Sequence, residues 1–532
     1  MGSLRNKTGL FIGTLALVFL LTFYKLGDRE LWSSHEARAA QDAQSILDGC
    51  DWRLPRLFDG RPELQKPPLY YWLTACFGWM QHGVDAWAVR LPAALGSVLT
   101  GLAVYLLLKK SGMERAAWLS MICLWTMVHF TWMSRVGRID MPLTAAITWC
   151  LVSFYCGMQS IGYSRNYWYA LGYLSLTAGI MLKGPIALVL VGLVIVSCFV
   201  AQTLANRIAY PSTHTGINFR SLVFSVFWGI PLIVILVLPW AWWVNQETAG
   251  KFLEEFVIKH NVQRGLGGDE QLDGHLHPWW YYLLRIWLDT APWGLLLPVC
   301  VTALIQRKLT SRWAITGLAW FLSILIFLSC MQYKRADYLL PAYPGLAILI
   351  GVCIDQWLRQ WNPARQHAAI WTGTILIAMT VTGWFTYVQW IIPSWEPERS
   401  LSEFARKVRN HVPSPGQVIL FRIDSHYLAW ELGKPAERIW EWENLGWWAT
   451  RKPPIYVVMP ERYAKECLTM LPEGELHPLL STLENDNGKH DLPLVLLVNQ
   501  PPMISQKSIV PTHTDHPGIA WVKIVSVMHS IP

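Results

Sequence analysis

Apolar runs of about 20 residues, separated by short polar loops, recur from Gly9 to Ile392 and then give way to shorter apolar stretches. A run of that length crosses a ~30 Å hydrocarbon layer as a helix. The pattern predicts spans over Gly9–Tyr24, Ala88–Leu108, Ala116–Met133, Met141–Met158, Tyr167–Met181, Pro185–Ala201, Ser221–Val244, Tyr281–Leu304, Trp313–Met331, Leu339–Trp357 and Ala368–Ile392, so about 11–13 in all. The first run follows a short basic start (Arg5, Lys7), and the "KLGDREL" after it offers no small-x-small cleavage site. It is therefore expected to stay as a span and not to be removed as a signal. After Ile392, "GQVILFRI" (Gly416 to Ile423), "PPIYVVMP" (Pro453 to Pro460) and "LPLVLLVN" (Leu492 to Asn499) read as short buried strands, with a helix over Glu461 to Leu471. The expected fold is an all-α polytopic membrane domain over 1–392, followed by a small α/β soluble domain over 393–532.

Composition agrees with that reading. Of 532 residues, 53% are hydrophobic and only 15% charged, and the mean hydropathy is +0.27, which excludes a chain of soluble domains and gives no reason to expect a nucleic-acid partner. The ten Cys fall mostly inside apolar runs and indicate no disulfide framework. Aromatic clusters such as "WAWW" (Trp240 to Trp243) and "HPWWYY" (His277 to Tyr282) stand at run ends, where interfacial belts belong. The loops Lys109–Arg115, Ala205–Arg220, Gln306–Arg312 and Arg359–Gln366 are basic and nearly free of acid, and so are assigned to the cytoplasm. The loops 25–87, 134–140, 182–185, 245–280 and 332–338 then share the opposite face. An odd number of spans puts the tail there too. The expected location is the inner (plasma) membrane, with that face toward the periplasm or exterior.

The chemistry-bearing residues collect on this outer face. Ser33 and Glu36 have the spacing of a capping box at the start of a helix whose apolar stripe is Ala39, Ala40, Ala43, Ile46 and Leu47. Glu36, beside His35, is thus a cap or a base. Asp140 opens a span, where it is either a loop acid paired with Arg135 or Arg138 or a functional carboxylate. Lys66 precedes two prolines that hold its backbone extended; a snorkelling lysine is the simpler alternative. His260 and Arg264 stand one helical turn apart before three glycines, suiting either a mobile loop at a cationic site or an ordinary helix stop. Asp269, Glu270 and "DGHLHP" (Asp273 to Pro278) offer ligands for a divalent metal, the one candidate cofactor, although their spacing matches no tight motif. "QYKRADYLLP" brings Lys334, Arg335 and Tyr338 to the start of a span, and Lys183 lies at a hairpin tip. Together these make carboxylates ringed by fixed cations at headgroup depth, suited to hold a lipid phosphate while a base activates an acceptor.

The order of "HEARAAQDAQSILDGCDWRLPRLFDGRPELQKPPLYYW" (His35 to Trp72), "GRIDMPL", "MLKGPIAL", "HNVQR" and "KRADYLLPAYP" resembles the lipid-linked-sugar glycosyltransferases of the type C membrane fold, in particular bacterial lipid A aminoarabinose transferases and protein O-mannosyltransferases. The resemblance covers the membrane region and says little beyond Pro393. It implies transfer of a sugar from a polyprenyl-phosphate donor to a lipid, glycan or protein hydroxyl by one inverting displacement. By motif match it assigns Lys66, Arg264 and Tyr338 to the donor phosphate, with Lys183, Lys334 and Arg335 as neighbours. Two positions depart from the family. His35 stands where the family has its catalytic Asp, so either Glu36 or His35 is the expected base, Glu36 being favoured. Gln65 stands where the aminoarabinose relatives have Glu, which weakens a borrowed metal role. The alternative function is a transporter or flippase of polyprenyl-phosphate-linked sugars, whose charges belong near the membrane midplane. A sensor working through the tail leaves the outer cluster unexplained.

Overall fold

A computed structural model of the chain describes residues 2–49, 51–208, 219–263, 275–306, 311–413, 417–423, 425–433, 436–451, 454–471, 476–482 and 493–500. Each of the eleven apolar runs is helical over these residues. Among the described residues, seven helices are long and apolar enough to cross a membrane, and two sharply bent pairs raise the number to nine: Glu114–Trp125 with Val128–Ser134 (71°), and Tyr281–Asp289 with Trp293–Ile305 (114°). The shorter Phe11–Phe23 and the helix Gly162–Lys183 account for the other two runs. The protein is a multi-pass, mainly helical membrane protein. The two bends brace each other, since Val128 donates its amide to the Ala291 carbonyl (3.1 Å) and the Trp293 indole donates to the Thr126 hydroxyl (2.7 Å).

The helical course continues across the expected boundary at 392, as Ile392–Arg399 and then Ser402–His411. Beyond it stand β1 (Gln417–Phe421), β2 (Ala436–Ile439), β3 (Ile455–Pro460), β4 (His477–Ser481) and β5 (Leu494–Val498), in the order β2-β1-β3-β5-β4. β1 pairs in parallel with β2 and β3; β5 is antiparallel to β3 and β4. β1, β3 and β5 are the three strands expected. β2 ("AERI") and β4 ("HPLLS") are short, partly polar edge strands without a continuous apolar run. The expected helix after β3 is split into Glu461–Ala464 and Cys467–Met470.

Loop 25–87 is built around the helix Ser34–Gly49, which buries Ala39, Ala40, Ala43 and Ile46 along one stripe. The tail packs on it: Gln41 donates to the His426 carbonyl (2.9 Å), Phe58 stacks on Trp430, and the Tyr427 hydroxyl bonds Glu30. The expected capping box does not form. Although the Ala37 amide reaches the Ser33 carbonyl (3.0 Å), the Glu36 carboxylate turns inward, fully buried, to Arg90 Nε (2.7 Å), Arg29 Nη2 (3.0 Å) and the Gly137 amide (2.9 Å). Gly137 makes this approach possible, because a Cβ there would lie 2.5 Å from Val89 Cγ1 and 3.2 Å from Glu36 Cγ. Arg90 also takes the carbonyls of Leu26, Arg29 and Glu30. Burial by itself raises a carboxyl, but Arg29, Arg90 and the Gly137 amide outweigh it and hold Glu36 at about 2.

With its acceptor sites filled by two guanidinium groups and an amide, Glu36 is placed as a structural clamp, an arrangement that speaks against the base role favoured from sequence. Removing one partner of a buried ion cluster costs about 3–5 kcal/mol. Glu36→Gln is therefore expected to lower the melting temperature of the purified protein sharply. An unchanged melting curve with transfer lost would return Glu36 to the chemistry.

Candidate active site

A cavity of about 490 Å³ opens where the outer loop meets the spans. Its polar end gathers residues from four places in the chain. His35 and Arg38 come from one face of the loop helix, and Lys66 from the strap before the helix Leu69–Met80. Arg138 and Asp140 stand at the start of the span Asp140–Gln159. Arg335, Asp337 and Tyr338 lie in the turn before Tyr343–Gln360. Lys183 enters from the end of Gly162–Lys183, and the chain reverses directly after it at Gly184, whose φ of 84° suits glycine. The other end of the cavity is apolar, walled by Val189 and Leu190 on one helix and Phe327 and Leu328 on another.

Five cations and two carboxylates line the cavity, an excess of positive charge that invites an anion. Four of the cations already hold acids. Lys183 Nζ is 2.5 Å from Asp140 and 3.9 Å above the Tyr338 ring. Arg138 and Arg335 both bind Asp337, which also faces His129, and Arg38 Nε lies 2.5 Å from Glu63. Lys66 alone among these cations has no carboxylate or hydrogen-bond partner among the described residues. Burial, opposed by Glu63 and helped by Arg38, lowers its ammonium to about 8. His35 Nε2 lies 3.4 Å from Arg335, and burial together with Lys66, Arg138 and Arg335 pushes its pKa well down. The imidazole thus stays neutral through the physiological range, and a loss of activity near pH 6 is not expected of it.

Of the residues read from sequence, the structure brings His35, Lys66, Asp140, Lys183, Arg335 and Tyr338 to one cavity. Asp140 pairs with Lys183, not with Arg135 or Arg138; Arg135 is spent on backbone carbonyls of residues 21–25. Lys334 is a correction. It is buried, with its ammonium donating to the carbonyls of His277 (2.8 Å) and Met331, and so ties two segments together outside the cavity. Arg264 and the side chain of His260 lie outside the described residues, as do Asp269, Glu270 and Asp273. The metal expectation falls largely on these, and no group of three His, Cys, Asp or Glu among the described residues is placed to hold a metal. The reading missed Arg38, one turn beyond His35, and Asp337, which stands inside the quoted "KRADY"; an acid directly after two cations was the available signal.

The comparisons with known proteins follow from this architecture. The family profile of dolichyl-phosphate-mannose-protein mannosyltransferases matches residues 10–252. The crystal structure of ArnT from Cupriavidus metallidurans bound to undecaprenyl phosphate superposes with a TM-score of 0.72 at 18% identity, over 93% of this chain and 99% of that one. The chain has the type C membrane-glycosyltransferase fold. An uncharacterized protein of Aquifex aeolicus is 25% identical over 72% of this chain and 71% of its own length. The undecaprenyl phosphate-alpha-4-amino-4-deoxy-L-arabinose arabinosyl transferases of Pectobacterium carotovorum and Shewanella sediminis are similar at 29% and 27% identity over 66% and 65% of this chain. The chain spans 60% of the length of each of these two. In this type C fold the cavity lies at the ends of the spans, with its ionisable groups outside or at the first and last turns of the helices.

An anionic ligand at Lys66 stabilises the charged ammonium, so binding takes up a proton as pH rises toward 8 and weakens above it. Affinity for polyprenyl phosphate is expected to fall as the pH is raised from about 7 to 9.5, and Lys66→Arg to flatten that fall, because a guanidinium keeps its charge to about pH 12. Identical slopes for the two proteins in a binding titration would remove Lys66 from the anion site.

Proposed function

We propose that the protein transfers a sugar from a polyprenyl-phosphate donor to a hydroxyl acceptor on the periplasmic or exterior face of the inner membrane. The observation that carries this is Lys66, left without a counter-ion among the described residues, beside acid-paired cations and at the polar end of a cavity whose other end is apolar. The donor phosphate sits at Lys66, within reach of Arg138, Arg335 and Lys183. Its prenyl chain follows the apolar wall of Val189, Leu190, Phe327 and Leu328 toward the lipid.

Asp140 is the base of this reading. It is the lining carboxylate held by a single ammonium, whereas Asp337 is engaged by two arginines. As the phosphate draws Lys183 toward itself, Asp140 loses its counter-ion and becomes more basic. It takes the proton of the acceptor hydroxyl while the hydroxyl oxygen attacks the anomeric carbon from the side opposite the phosphate. The bond from that carbon to the phosphate oxygen breaks, its electrons leave with polyprenyl phosphate, and the configuration inverts. The gathered cations stabilise the charge that grows on the leaving phosphate. Neutral His35, beside Arg335, orients the acceptor and takes the place of the family's carboxylate.

The span-end position of these charges favours this reading over a transporter, whose site belongs near the midplane. The acceptor is a lipid, glycan or protein hydroxyl, and the sequence resemblance to lipid A aminoarabinose transferases makes lipid A the first to test.

General-base catalysis is typically worth about 10²–10⁴ in rate. Asp140→Asn is expected to slow transfer by that factor while donor binding stays equal or tightens, because Lys183 is released. His35→Asn should cost less. With radiolabelled donor and purified protein, near-normal transfer by Asp140→Asn, or a larger loss in His35→Asn, would move the base to His35.

A further inference from the structure

In the tail sheet, β2, β1 and β3 run parallel, and the helices that follow β1 and β2 lie on opposite faces. Tyr427 and Leu428 pack with Val418 and Leu420 on one face; Trp442 and Leu445 pack with Ile419 and Phe421 on the other. This order makes the loops after β1 and β3 part at their carboxyl ends, the place where open α/β sheets bind ligands. Arg422 follows β1 with a left-handed backbone (φ 52°), an uncommon conformation for a residue with a side chain. Its amide donates to the Ile439 carbonyl (2.8 Å) and its Nε to the Trp440 carbonyl (2.8 Å). These bonds lay the guanidinium across Trp442 (5.4 Å) and Tyr463 (5.1 Å). Arg462, after β3, lies over the same Tyr463 ring at 4.7 Å. Neither guanidinium meets a carboxylate among the described residues, and Trp440 beside them is half exposed.

We propose that this crevice binds an anionic saccharide, a phosphorylated or carboxylated sugar whose charge pairs with Arg422 and Arg462 and whose ring lies against Trp440 and Tyr463. Two guanidinium groups drawn to one aromatic ring repel each other unless an anion joins them, and they match phosphate or carboxylate in geometry. The exposed Trp440 ring supplies the flat apolar face that a sugar ring covers, with the half-buried Tyr463 ring beside the guanidinium groups. The same strand β1 leads on to the catalytic loop: His426, four residues past Arg422, gives its carbonyl to Gln41 of the helix that carries His35 and Arg38 into the cavity. The bound saccharide is thus part of the acceptor, a statement that rests on the transferase reading, whereas the binding itself does not.

The test is calorimetric titration of the purified full-length protein in detergent with glucose 6-phosphate and glucuronate, using glucose and inorganic phosphate as controls. At least one anionic sugar should bind saturably, with glucose and phosphate each weaker by at least about tenfold, and Arg422→Gly and Arg462→Gln should each weaken the binding by a similar factor. Glycine accepts a φ of 52°, so Arg422→Gly removes the guanidinium without straining the turn. Lys66→Ala should bind the sugar as the unaltered protein does. Loss in Lys66→Ala with retention in Arg422→Gly would put the ligand in the cavity and overturn the proposal, as would equal binding of glucose or no binding of either anionic sugar. Donor binding and transfer measured on the same preparations separate the two readings. Sugar binding at the crevice without any transfer counts against the transferase alone; transfer without sugar binding counts against the crevice alone.

Discussion

The fold of the site depends on one buried ion cluster, in which Glu36 is held between Arg29 and Arg90 and against the Gly137 amide. The loop helix has little other reason to keep a fixed angle to the spans, since its remaining buried residues are mostly alanines, which pack without specifying register. A carboxylate between two guanidinium groups supplies direction that alanine packing lacks. Arg90 belongs to the span Ala86–Lys110 and Gly137 to the approach to Asp140, so the cluster joins the loop to the spans that frame the cavity. One residue earlier and two later, His35 and Arg38 then project into the cavity from a helix that cannot rotate. The tail grips the same helix from the other side, which makes it part of the support of the site as well as an appendage to it.

Inside the cavity the same electrostatics is used differently. A cluster of five cations in a low-dielectric site is self-repelling. Asp140, Asp337 and Glu63 relieve that repulsion at four of them and leave Lys66 for the ligand. The acids therefore serve the site as counter-ions. Asp140, held by one ammonium, is the one proposed above as the base.

Much of this was legible in the chain. Span length gave the apolar helices, because the bilayer imposes it. Of the six expected site residues that meet, Asp140, Lys183, Arg335 and Tyr338 sit at span ends, and His35 and Lys66 come from the loop 25–87. What was not legible concerns side-chain direction. Ser33 and Glu36 have the spacing of a capping box, but spacing does not reveal that Arg90, 54 residues away, takes the carboxylate. Lys334 and Arg335 are neighbours in sequence, yet the extended backbone there turns one to the carbonyls of His277 and Met331 and the other to the cavity. β2 and β4 escaped notice because edge strands need only one apolar neighbour.

The proposed transfer requires the cavity to hold the phosphate and first isoprene units of a polyprenyl-phosphate donor. The decisive measurement is photocrosslinking of the purified protein to polyprenyl phosphate that carries a diazirine in its first isoprene unit, with the adducts mapped by mass spectrometry. Adducts are expected on Val189, Leu190, Phe327 or Leu328, suppressed by unlabelled polyprenyl phosphate and lost in Lys66→Ala. Adducts confined to lipid-facing positions such as Phe224, Phe227 and Ile235, insensitive to competitor, would contradict it.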